Sequence, residues 1–232
     1  MCRNRRWLIW AVFSLFAVCD ALAAESICYG TTSNGRLAHG VKLPAEGKNF
    51  TAYGTAPAAL GRTYVHSTVR DIIVETYERL EKDLPSKVFK YAETGFAQGG
   101  KFSPHKTHRN GLSVDFMVPV LDRNGKSVHL PTNAFNKYGY AIEFNAQGRY
   151  EDYRIDYEAL AAHIVALHQV AKRHDVQIWR VIFDPKLAPK LYATRYGAYI
   201  KQHIAIPTKN SWVRHDEHYH VDFQLSCKTF DH

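Results

Sequence analysis

Apolar residues recur at helical spacing through Val69, Ile72, Ile73, Tyr77, Leu80 and Leu84, which predicts an amphipathic helix capped by Ser67 or Thr68 and stopped by Pro85. The same spacing returns in Leu160, Ile164, Leu167 and Ala171 behind a capping Asp156, so a second helix follows. His163 and His168 lie on or beside it and are read as packing or surface histidines. Elsewhere the period falls to two: segments 87–93, 112–120, 140–145, 177–184 and 218–225 are strand candidates. Asp122-Arg123-Asn124-Gly125 is a turn signal. From 28 to 63 Gly, Ala, Thr and Pro dominate without a period, so that stretch reads as an extended, loop-rich segment laid over the core.

The uncharged apolar run at 7–18 is too short to cross a bilayer, which needs roughly 20 such residues. It follows Arg3, Arg5 and Arg6 and precedes Ala21-Leu22-Ala23, the three parts of a secretory signal peptide. Residues 1–23 are therefore expected to leave after export, with no stable membrane insertion of the mature chain. Cys19 admits a lipoprotein alternative, but Phe16 and Val18 sit badly where a lipidation site wants small residues. What remains, 24–232, is expected to form a single domain of the α+β class, long enough to bury its own core.

The formal charge of +8 falls by two once the leader goes, and the cations are scattered along the chain. A nucleic-acid partner would need them gathered with stacking aromatics, so none is expected. Of four cysteines the mature chain keeps Cys28 and Cys227, which in an oxidising compartment are expected to pair. Asn49-Phe50-Thr51 is a glycosylation sequon by chance.

Thirteen histidines matter less than their grouping. His105, His108 and Asp115 fall in one short stretch, and His215, His218 and His220 in another. One His-x-His alone is weak, since random placement gives on the order of one such pair; the conjunction is much rarer. His218 and His220, two apart in a strand, emerge on one face and can converge on one ion. Asp115 sits in an apolar strand between Val114 and Phe116, where an unpaired carboxylate is costly and a cation opposite it resolves the cost. Two imidazoles and a carboxylate, with a fourth position left to water, make a catalytic zinc set. Asp222 is a weaker ligand candidate, too far along the strand for the same ion. There is no His-Glu-x-x-His helix and no Gly-x-Ser-x-Gly elbow. Ser103-Pro104-His105-Lys106 matches the Ser-x-x-Lys of penicillin-binding serine enzymes, but their partner elements are missing, Lys228-Thr229-Phe230 being the nearest.

At these residues the chain resembles the penicillin-insensitive murein endopeptidases, in the zinc-peptidase group shared with lysostaphin-type enzymes and D-Ala-D-Ala carboxypeptidases. The group signature, His-x6-Asp and later His-x-His, is matched by His108 to Asp115 and by His218-Tyr219-His220. The endopeptidase branch adds His105 and His215, three before each element. Further similarity runs through Gly35-Arg36-Leu37, Leu43-Pro44, 62–66, Gly99-Gly100-Lys101-Phe102 and 212–227. Ser113 and Asp222 depart from the pattern, where an acidic and a basic residue are expected.

The resemblance implies an α+β fold in which a small antiparallel sheet, flanked by helices, carries the site. It implies a periplasmic enzyme acting on cross-linked peptidoglycan at the D-alanyl to meso-diaminopimelyl bond. His108, Asp115 and His220 would hold Zn2+, His218 would be the base, and His215 and His105 would orient the base or stabilise the oxyanion. The rivals are a D-Ala-D-Ala carboxypeptidase or dipeptidase of the same group and a non-catalytic wall-binding zinc module, which would need no His218.

Overall fold

The computed structural model describes residues 24–209 and 213–230, so the leader read at 1–23 and Trp212 lie outside the described residues. The chain opens with short strands β1 (Ile27–Gly30), β2 (Gly35–Ala38), β3 (Val41–Lys42) and β4 (Phe50–Ala52), then helix α1 (Thr55–Ala59) and β5 (Tyr64–Val65). Helix α2 (Ser67–Asp83) leads to β6 (Phe89–Tyr91), β7 (Ser113–Met117), β8 (Val120–Leu121) and β9 (Ser127–Val128). A 3-10 segment (Ala134–Gly139), β10 (Arg149–Tyr150) and β11 (Tyr153–Ile155) precede helix α3 (Tyr157–Arg173). The chain then forms β12 (Gln177–Ile182), α4 (Ala188–Tyr192), α5 (Gly197–His203) and β13 (His218–Gln224).

Five strands form the main sheet in the order β12-β13-β7-β6-β4, and β10-β11-β8-β9 form a second. The fold is thus α+β, and the strands that carry the site, β13 and β7, pair antiparallel as expected, while β4 joins the far edge parallel to β6. Helices α2 and α3 pack against each other, their apolar faces buried in the common core. Leu160 and Leu167 of α3 are wholly enclosed, each worth roughly 2–5 kcal/mol against alanine. Asp156 caps α3 by accepting from the Ala159 amide at 3.1 Å, as expected. The cap of α2 falls one residue earlier than its sequence suggests, because His66 Nδ1 accepts from the Thr68 amide at 3.2 Å.

Segment 140–145 is not a strand. Ile142 and Phe144 are buried alternately, which produced the strand-like pattern. Their amides go elsewhere: Ile142 donates to the Gly139 carbonyl, and Phe144 to the Asp216 carboxylate at 2.6 Å. The loop-rich segment 28–63 does carry the short elements β1 to β4 and α1. Asn49 of the sequon is buried, its side-chain amide donating to the Tyr77 carbonyl.

Cys28 and Cys227 are disulfide-bonded across 199 residues. The same seam carries backbone bonds from Gly30 to Lys228 and from Lys228 to Cys28, so the crosslink locks the end of the chain onto β1. Behind the sheet, buried His163 of α3 shares a 2.7 Å hydrogen bond with the Tyr219 hydroxyl and packs among Tyr77, Phe89 and Phe116. It is the packing histidine its sequence position indicates. Tyr219 lies between His218 and His220 in β13, so α3 grips the strand from the face opposite theirs.

Two outcomes are expected. Alkylation of the unreduced, denatured mature protein should label no thiol, and reduction should lower stability by up to about 4–5 kcal/mol by the loop-entropy relation; labelling of two thiols would contradict this. Burial also pushes the His163 pKa from 6.5 down to about 3. The unfolded chain therefore binds the extra proton between those values, and this group's stabilisation is complete above pH 6.5 and lost as the pH falls towards 3. Urea titrations across that window should show His163→Gln losing less stability on acidification than the parent, by up to about 1.4 kcal/mol per pH unit; parallel curves would sink the assignment.

Candidate active site

Strands β7 and β13 pair so that Asp115 stands opposite His220, Met117 opposite His218 and Ser113 opposite Asp222. Opposed residues project to one face, so this register alone gathers Asp115, His218, His220 and Asp222. His108 arrives from the loop before β7 with a left-handed backbone, φ 67°, which costs a non-glycine residue about 1–2 kcal/mol. Gly95 makes room for it: a Cβ there would stand 2.9 Å from the His108 carbonyl oxygen. His108 Nδ1 donates to the Thr94 carbonyl at 3.1 Å, which fixes the tautomer and leaves Nε2 with a lone pair.

Asp115 is fully enclosed. Its Oδ1 lies 2.8 Å from His220 Nδ1 and 3.3 Å from His108 Nε2. Its Oδ2 accepts from the Tyr140 hydroxyl at 2.9 Å and lies 3.8 Å from His105 Nδ1 and 3.9 Å from His218 Nε2. His108 Nε2 is buried without a hydrogen-bond partner among the described residues. Two acceptors thus face each other, an arrangement that a cation between them relieves. The donor atoms of His105, His108 and Asp115 lie within 4.8 Å of one another, a group of three that could hold a metal ion.

Each other histidine has one ring nitrogen tied down. His220 Nε2 meets Asp222 Oδ1 at 2.9 Å, and Asp222 also accepts from Ser113 Oγ at 2.6 Å and Arg180 Nε at 2.5 Å. Thus the two positions that depart from the family pattern bond to each other behind His220. His218 Nδ1 is 2.6 Å from Glu217 Oε1, and His215 Nδ1 donates to the Val213 carbonyl at 3.0 Å. His105 Nε2 is 2.5 Å from Glu93 Oε2. Glu93 is itself held by the Arg62 guanidinium and by the Tyr53 hydroxyl at 2.9 Å.

Electrostatics follow from these contacts. Burial alone would raise the Asp115 pKa, yet the surrounding histidines hold it well below the carboxylate range. Burial disfavours protonated His220, but Asp222 and Asp115 outweigh it and push the pKa up to about 10. His218 is raised likewise, Glu217 overcoming burial. His215 goes the other way, to about 3, through burial and the neighbouring His218. Burial also opposes the ionised Glu93, but hydrogen bonds from His105 and Arg62 hold it at about 2.

Five of the six histidine and aspartate candidates line one cleft of about 760 Å³, and the sixth, His108, is fully buried and packs against His105 and His220. Ser103 is not among the lining residues; its carbonyl accepts from Arg62 instead. Sequence reasoning missed Glu93, Tyr140 and Glu217. Glu93 closes an apolar strand candidate, so the burial argument that found Asp115 applies to it equally; nothing in the chain flags Tyr140, a loop residue.

Imidazoles converging on one buried carboxylate at the floor of a cleft define a candidate metal-dependent hydrolase centre. The chain belongs to the penicillin-insensitive murein endopeptidase family, which it matches over residues 28–231. It is accordingly a peptidase whose substrate is peptidoglycan. A comparison with curated proteins returns no match.

Glu93→Ala should cost about 3 kcal/mol in urea unfolding, because it strands the part-buried Arg62 guanidinium and the Tyr53 hydroxyl. A loss under about 0.5 kcal/mol, the range of ordinary surface substitutions, would mean the network does not hold the site together.

Proposed function

We propose that the chain is a zinc-dependent endopeptidase that hydrolyses the D-alanyl to meso-diaminopimelyl cross-links of peptidoglycan. In this reading residues 1–23 direct export, residues 24–232 form one domain, and the enzyme works in the periplasm. The disulfide supports an oxidising compartment, and among the described residues no helix is long and apolar enough to cross a membrane.

The observation that carries the metal assignment is the pair of facing acceptors, His108 Nε2 and Asp115 Oδ1, with His220 Nδ1 on the same carboxylate oxygen. We assign His108, Asp115 and His220 as ligands, His220 through Nδ1 because Asp222 engages its Nε2. His105 is the alternative third histidine, but Glu93 holds its Nε2 and its Nδ1 stands farther from Asp115 than His220 does. Nitrogen and carboxylate donors without thiolate suit zinc. Zinc held there supplies Lewis acidity, acidifying water and polarising the scissile carbonyl.

The chain's own residues do the rest. His218, oriented by Glu217, accepts the water's proton at Nε2 and passes it to the leaving amine. His215 offers the cleft only an acceptor nitrogen, so it orients His218, 4.7 Å away between ring centroids, and does not stabilise an oxyanion. His105 likewise gives its N–H to Glu93 and presents Nδ1 as an acceptor beside Asp115, so it takes the orienting role and not the oxyanion one. No serine nucleophile takes part, so beta-lactams, which acylate serine, should leave the activity intact.

His220→Ala should lose zinc and activity together. His218→Ala should keep zinc while turnover of a dimeric muropeptide falls roughly 10²- to 10⁴-fold, the usual contribution of a positioned acid or base. Metal analysis beside single-turnover cleavage decides it: zinc lost from His218→Ala but kept in His220→Ala would reverse the assignment.

A further inference from the structure

We propose that Arg180 is a specificity residue: its guanidinium receives the carboxylate borne by the same carbon as the leaving amine. This rests on the endopeptidase reading above, in which meso-diaminopimelate supplies both groups.

Arg180 pairs with Asp222 across β12 and β13, and it lines the cleft two residues before Ile182, which faces His220. A register shift falls between Ile178 and Arg180, and bulges of this kind re-aim side chains beside active sites. Here the shift lets the Arg180 guanidinium lie over the ring of its own neighbour Trp179, 4.2 Å from the centroid. Nε donates to Asp222 Oδ2 at 2.5 Å. The guanidinium is thereby fixed at one edge and on one face, with the side chain 28% exposed. Among the described residues no acceptor reaches Nη1 or Nη2. That free end is the planar fork that binds carboxylates in bidentate fashion, and holding it in place beforehand removes most of the ordering cost.

Charge makes the position selective. Glu93, Asp115, Glu143, Asp216 and Glu217 line the same cleft and repel an anionic group near them, while Lys106 and Lys137 also line it on long flexible stems. Arg214 does not offset the acids, being spent on Glu143, the Phe144 carbonyl and Asp216. What sets Arg180 apart from those lysines is that Asp222 and the Trp179 ring hold its guanidinium in one place on the wall, in the strand beside His220, so an anionic substrate finds its register there.

The test compares two cross-linked dimers that differ only at this carboxylate, free in one and carboxamide in the other. The parent enzyme should prefer the free acid roughly 10- to 100-fold in kcat/KM, as expected for one hydrogen-bonded charge. Arg180→Gln should bring the two dimers level, whatever it does to their common rate through Asp222, and Arg180→Lys should keep only part of the preference. General damage to His220 through Asp222 would slow both dimers alike and leave the ratio untouched. An unchanged ratio in Arg180→Gln, or in Arg180→Lys if the first variant is inactive, overturns the assignment, as does a parent enzyme indifferent to the amide. If the parent cleaves neither dimer, the endopeptidase reading itself falls and this assignment with it.

Discussion

The structure depends on one expensive group, the Asp115 carboxylate, enclosed in the middle of the main sheet. An isolated charge there would cost far more than the few kcal/mol by which a domain is stable. It is tolerated because the His220 ring and the Tyr140 hydroxyl each bond one of its oxygens, with His105 and His218 near the second, and because the bare Nε2 of His108 leaves beside the first a place that a cation would fill. The register of β7 against β13 makes that possible, since a slip of one residue would turn His218 and His220 to the helix face and Tyr219 to the cleft. The His163 bond to Tyr219 guards against the slip from behind. Core packing and site geometry are in this sense the same constraint.

Around Asp115 the protein assigns each imidazole a fixed role through its second nitrogen. Carbonyls of Thr94 and Val213 hold His108 and His215 in one tautomer, while the carboxylates of Asp222, Glu217 and Glu93 face His220, His218 and His105. A neutral partner leaves a bare lone pair, and an anionic partner raises basicity. Similar side chains therefore differ in charge within a few ångströms, which is what a site needs if one histidine is to bind a cation and another to carry protons.

The two long helices α2 and α3, four of the five strand candidates and the six converging residues were legible because each rests on local pattern: a period of 3.6, a period of two, or histidines bracketing a carboxylate; the short α1, α4 and α5 carry too few turns to show a period. Segment 140–145 misled because its alternation records the burial of Ile142 and Phe144, while the ladder bonds that make a strand are absent. Glu93, Tyr140 and Arg180 come from separate parts of the chain, and their roles exist only once the sheet has closed. Ser113 and Asp222 read in sequence as two departures beside the site. In three dimensions they are one hydrogen-bonded pair that, with Arg180, supports His220.

The central claim is that Asp115, His108 and His220 together form a cation site. Anomalous diffraction at the zinc edge from crystals of the mature protein tests it most directly. The account predicts a single strong peak bonded to His108 Nε2, Asp115 and His220 Nδ1. A peak bonded to His105 in place of His220, or no peak in protein grown with zinc, would contradict it.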